Sequence, residues 1–214
     1  MITVLIDAGH GGIDPQTGRY TTSPSKEARH PNANFGHVKA DPAMFCEGVS
    51  NRLYARALEV QLHALGVRCV RVYHDHQDTA LADRAKVAKI YQQYVLGDDP
   101  CVLVSLHHNA ANRAATGFEV FTTRGVTGAD KIATAICEDY ARAPLVGPLR
   151  ADRTDGDPDK EAGFQILREC ESFGIPGLLV EFGFFDNPTE AAKINSPDIR
   201  GAWSQRLAKV LAKF

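Results

Sequence analysis

Several residues able to do chemistry stand where apolar segments of this chain break off. Val4-Leu5-Ile6 stops in Asp7-Ala8-Gly9-His10-Gly11-Gly12, CVLVSL at 101–106 runs into His107, His108 and Asn109, and GLLV at 177–180 runs into Glu181. A fourth candidate, Glu47, directly precedes the first long helical pattern. Two imidazoles and one carboxylate form a familiar ligand set for catalytic zinc, with a fourth position open to water. A carboxylate outside the ligand set can then move protons. The residues alone therefore give His10, Glu47 and one of His107 and His108 to a metal, and Glu181 to acid–base work.

Each residue taken singly has a plainer account. A histidine after a strand can be a hydrogen-bonded turn residue, and Glu47 suits the positive end of a helix dipole. Glu181 is harder to explain so, because an unpaired carboxylate at the end of an apolar strand must shift its pKa or find a partner. The other histidines (His30, His37, His63, His74 and His76) read as surface or loop residues.

Convergence of these positions requires particular elements. After the first strand, residues 48–65 carry a helical stripe through Val49, Leu53, Ala57, Val60 and Ala64, ended by Gly66. Strands are expected at 67–73, 101–106, 117–122, 164–167 and 177–182, with helices at 81–94, 129–142 and 198–213. Such alternation implies an α/β fold, a twisted and mostly parallel sheet of about six strands with helices on both faces. Ligands of open α/β sheets gather at the carboxyl ends of the strands, which is where the candidates fall. The glycines around His10 are expected to permit a tight turn that presents the histidine.

The chain of 214 residues reads as a single domain spanning 1–214, with residues 144–163 as a loop. Residues 14–46 are a polar insertion with four prolines and no period, the kind of long loop that often serves as a lid. A net charge of −2 gives no basic footprint for nucleic acid, and no apolar run is long enough to insert in a membrane. Five dispersed cysteines without a CxxC pair indicate free thiols, buried at Cys69 and Cys101, and a reducing compartment.

The segments IDAGHGGIDP, the glutamate heading a helix, LADRAKVA, SLHHNA followed by GFEVFT, and LLVEFGFFDN together resemble the zinc-dependent N-acetylmuramoyl-L-alanine amidases of the Amidase_3 type. The resemblance covers nearly the whole chain, in order. It implies a hydrolase that cleaves the amide between the lactyl group of N-acetylmuramic acid and the L-alanine of the stem peptide. It implies one Zn2+ per chain held by His10, Glu47 and His107, with Glu181 as catalytic residue, and peptidoglycan or a muropeptide as substrate. The chain departs from the family in having His108 where a small residue is usual, and in the length of the 14–46 insertion.

The expected setting is synthesis in the cytoplasm without a visible signal and action on the cell wall, as by an endolysin of phage or prophage origin, with a monomer favoured. The insertion, anchored at both ends beside the candidate metal, is expected to shape the groove. The alternatives are a zinc peptidase or deacetylase acting on another amide, and a non-catalytic wall-binding module.

Overall fold

A computed structural model describes residues 2–22, 24, 26–154 and 156–214. In chain order the elements are β1 (Thr3–Ala8), β2 (Glu27–Arg29), β3 (Met44–Cys46), α1 (Glu47–Ala64), β4 (Cys69–Arg71), α2 (Leu81–Tyr91), β5 (Cys101–Asn109), β6 (Phe118–Thr122), α3 (Asp130–Arg142), β7 (Lys160–Glu161), α4 (Gln165–Ser172), β8 (Gly177–Phe184), α5 (Pro188–Asn195) and α6 (Pro197–Leu211), with a π-helical turn at Gln92–Leu96 extending α2. The main sheet has the order β4-β1-β5-β8-β6-β7. Strands β4, β1, β5 and β8 are mutually parallel, β6 runs antiparallel to β8, and β7 follows β6 in parallel.

The apolar runs in β1, β5 and β8 are continuous because both faces of these strands are covered. Successive side chains point to opposite faces. Val4, Ile6, Val102, Val104, Leu178 and Val180 enter a core shared with α1, α3, α5 and α6, whereas Leu5, Leu103 and Leu179 enter a second core under α2 and α4. The α/β sheet of six strands with helices on both faces is thus present, and β1, β5 and β8 all deliver their carboxyl ends to one edge.

Two elements differ from the sequence reading. FQIL (164–167) is not a strand: Phe164 precedes α4, whose Ile166, Leu167 and Cys170 form one buried helical face. Four apolar residues in a row fit either period, and here the spacing of the buried ones decides for helix. Helix α5 was not expected, although its start carries ordinary signals. Pro188 occupies the first turn, and the Asn187 side chain accepts hydrogen bonds from the Thr189 and Glu190 amides.

The described residues of 14–46 are also more ordered than their composition suggests. Strands β2 and β3 pair antiparallel, with Ala28 opposite Phe45, and Ala28, Phe35 and Phe45 join the larger core. His30 and His37, expected at the surface, are buried. His30 Nε2 donates to the Phe185 carbonyl at 3.0 Å, and His37 Nδ1 accepts from the Cys46 amide at 2.9 Å. Phe45 stacks on Phe185 with centroids 5.7 Å apart. The segment therefore burrows into the domain through aromatic rings and imidazoles, whose burial follows no sequence period. All five cysteines are free, with Cys69 half-buried and Cys101 buried.

Candidate metal centre

The His10 turn is built differently from the expectation. It is His10 itself that adopts positive φ, at 63°. The flanking glycines are required by close approach instead. A Cβ on Gly9 would lie 2.0 Å from the His107 ring, and one on Gly11 would lie 1.9 Å from Thr21 Oγ1. Such a conformation of a non-glycine residue is strained by about 1–3 kcal/mol and persists only where neighbours over-determine it.

Two buried arginines supply that restraint. Arg52 donates to the carbonyls of His10, Gly11, Gly48, His74 and Asp75 at 2.7–2.9 Å. Arg84 donates to the carbonyls of Ala8 (2.7 Å) and His10 (2.9 Å) and pairs with Asp7 Oδ1 at 2.9 Å. Asp7 Oδ2 in turn accepts from Ser105 at 2.7 Å. The turn is bolted from beneath, so the His10 ring projects from a rigid base.

Glu47 opens α1 and is 1% exposed. Its Oε2 lies 3.2 Å from His10 Nε2, and its Oε1 lies 3.0 Å from His107 Nδ1. One ligand atom from each of His10, Glu47 and His107 can be chosen so that all lie within 4.8 Å of one another. Burial opposes the charge on Glu47, but the adjacent His10 and His107 hold its carboxyl well below the usual range. The same Glu47 draws the His107 pKa up against the effect of burial.

His107 and His108 separate as strand geometry requires. His108 Nδ1 donates to the Phe182 carbonyl at 2.7 Å, and its Nε2 faces Ser50 Oγ at 2.9 Å. Burial lowers its pKa to about 4. Only its backbone amide reaches Glu47, at 3.3 Å from Oε1.

Glu181 stands in register with His107 on the adjacent strand. Burial raises its pKa to about 8, helped by the charge of Glu47 and opposed by His107. Its Oε2 is buried with no hydrogen-bond partner among the described residues. A cavity of about 490 Å³ opens beside these groups, lined among others by His10, Lys26, Arg84, His107, Phe164 and Glu181. The structure thus brings His10, Glu47, His107 and Glu181 to one place and leaves His108 in the core.

Sequence reasoning missed several supporting residues. Lys26, from the insertion, reaches within 3.8 Å of Glu47 Oε2, and its carbonyl accepts from the Glu47 amide at 2.9 Å. Glu119 is the register partner of Glu181 on β6 and accepts from Arg150, Lys160 and Asn109. Arg84 lies within LADRAKVA, and that resemblance was the available signal. Arg52 had none.

The residues fit a bound divalent cation on structural grounds. Glu47 Oε2 is buried without a hydrogen-bond partner among the described residues, and two imidazole nitrogens flank its carboxylate. A His–Glu–His donor set beside an open cavity suits zinc.

Comparison with known proteins bears on the fold and the family. The chain is 25% identical over 209 residues, 98% of its length, to an uncharacterized cell wall amidase of Bacillus anthracis, of which it spans 34%. The catalytic domain of the N-acetylmuramoyl-L-alanine amidase CwlV from Bacillus (Paenibacillus) polymyxa var. colistinus superposes with a TM-score of 0.69 at 24% identity, covering 100% of this chain and 97% of that one. An N-acetylmuramoyl-L-alanine amidase from Clostridium difficile 630 gives 0.69 at 25% identity, with coverages of 99% and 95%. The Amidase_3 family model, described as N-acetylmuramoyl-L-alanine amidase, matches residues 4–213, and the chain belongs to that family.

Proposed function

We propose that this chain hydrolyses the amide joining N-acetylmuramic acid to the L-alanine of the stem peptide in peptidoglycan, with one zinc ion held by His10, Glu47 and His107. The observation that carries the reading is the junction of those three side chains beside a cavity that His10, His107 and Glu181 line, within a member of this family. When bound, zinc supplies Lewis acidity, which polarises a carbonyl and brings deprotonation of water near neutral pH.

The remaining work falls to the chain. Glu181 takes a proton from the attacking water and returns it to the departing alanine amine. Water adds to the lactyl carbonyl carbon, the C–N bond breaks, and the products are a carboxylate and an amine. Arg52 and Arg84 keep His10 fixed during this cycle, so little reorganisation is needed. Lys26 places a positive charge on the cavity wall.

The test is mass spectrometry of peptidoglycan digested with zinc-loaded protein. The expected products are free stem peptides with a new N-terminal alanine and glycan strands bearing intact lactyl groups. New peptide termini inside the stem would favour a zinc peptidase, and loss of acetyl groups a deacetylase. Wall binding without any product would leave a non-catalytic module.

A further inference from the structure

We propose a second, thiolate-containing site for a borderline or soft divalent metal such as zinc, formed by Glu59 and His63 on α1 with Cys69 on β4. One ligand atom from each residue lies within 4.8 Å of the others. Glu59 and His63 are one helical turn apart and share a face, which the edge strand β4 approaches. The site is separate from the candidate centre, because Glu59 lies twelve residues beyond Glu47 along α1, roughly 18 Å at 1.5 Å per residue.

The geometry favours a metal in two respects. His63 Nε2 is 3.4 Å from Cys69 Sγ. Two such atoms bound tetrahedrally to zinc, at the usual bond lengths of about 2.0 and 2.3 Å, would stand about 3.5 Å apart. His63 also lies in the last turn of α1, where the helix dipole attracts cations.

Charge balance is favourable too. On binding, the Cys69 thiol loses its proton to solvent, and the thiolate offsets one charge of the divalent ion while Glu59 shares its own with Arg71. Arg71 already holds Glu59 through both carboxylate oxygens. A carboxylate has about four lone-pair sites, so Glu59 can keep Arg71 while turning a remaining lone pair to a metal. The weaker contact, 3.2 Å from Arg71 Nε to Oε1, marks the oxygen more easily shared. Sulfur in the donor set selects zinc-like ions over magnesium or calcium.

Cobalt titration of the full chain tests this directly. The His–Glu–His centre contains no sulfur, so only the second site can give a thiolate-to-cobalt charge-transfer band in the near ultraviolet. The other four cysteines are buried. The expected result is such a band, complete by two equivalents of cobalt and with the intensity of one thiolate site, with zinc bound at two ions per chain in equilibrium dialysis. Cys69→Ser and, independently, His63→Ala should remove the band and lower zinc from two ions to one. His10→Ala should leave the band in place. Absence of the band in the parent, or its survival in Cys69→Ser, would overturn the proposal and reduce the His63–Cys69 contact to a hydrogen bond.

Discussion

His107 and Glu181 face each other across adjacent parallel strands, one beside Glu47 and the other with a buried, unpartnered carboxylate oxygen. Glu181→Gln should therefore keep zinc while lowering turnover by about a hundredfold or more, the scale of losing a general acid–base. Metal analysis beside a peptidoglycan-release assay checks both halves. Near-parental cleavage by a zinc-loaded variant would remove Glu181 from the chemistry.

The same carboxyl governs how metal-free protein responds to pH. Its folded pKa of about 8 lies above the ordinary 4.5, so the native state holds this proton more tightly than the unfolded chain. Stability is then lost as pH rises from about 4.5 through about 8. In chelated protein, Glu181→Gln should flatten this decline and be more stable than the parent at alkaline pH. Urea denaturation across that window measures it, and parallel curves would refute it.

The adjacent histidines give opposite phenotypes. His107→Ala should lose the zinc ion of the His–Glu–His centre with a modest change in stability. His108→Ala should retain zinc yet destabilise the fold by about 1–3 kcal/mol, because Ser50 and the Phe182 carbonyl lose their buried partner. Zinc content and thermal melts of the two variants distinguish these roles.

Lys26 sets an electrostatic background for the metal. A cation 3.8 Å from Glu47 Oε2 opposes a second cation at the same carboxylate. Half-exposed, it should be worth about 1 kcal/mol, a roughly fivefold effect on affinity. Lys26→Met should tighten zinc accordingly in a chelator competition, and an unchanged constant would show that solvent screens the charge completely.

Replacing residues 18–42 with a Gly/Ser linker should destabilise the protein, because Ala28 and Phe35 belong to the larger core and His30 bonds to Phe185. Shortening only the exposed turn at 15–18 should be nearly neutral. Melting temperatures of the two deletions test this, and equal tolerance would mean that the insertion is a surface loop after all.

What the sequence discloses follows from how burial is patterned. β1, β5 and β8 are legible because strands covered on both faces need uninterrupted apolar runs, and the abrupt ends of those runs expose His10, His107 and Glu181. Glu47 is legible only through its place at the head of α1. The 14–46 segment hides its contribution because imidazoles and phenyl rings are buried there without a period. Arg52 is hidden for a different reason. Its partners are main-chain carbonyls from three separate segments, and carbonyls leave no trace in residue types. Nor does any pattern reveal that His10, rather than a neighbouring glycine, takes the left-handed conformation.

The two guanidinium anchors beneath the His10 turn also bear on how the molecule breathes. Loops at functional sites ordinarily open at low free-energy cost, well before the global transition. Here Arg52 and Arg84 tie the turn to α1, to α2 and to the segment after β4, so these parts can separate only together. Amide hydrogens from Gly9 to Gly12 should then exchange with solvent nearly as slowly as those in the middle of β5. A pre-formed socket of this kind would surrender its metal on heating in the same cooperative step that melts the sheet.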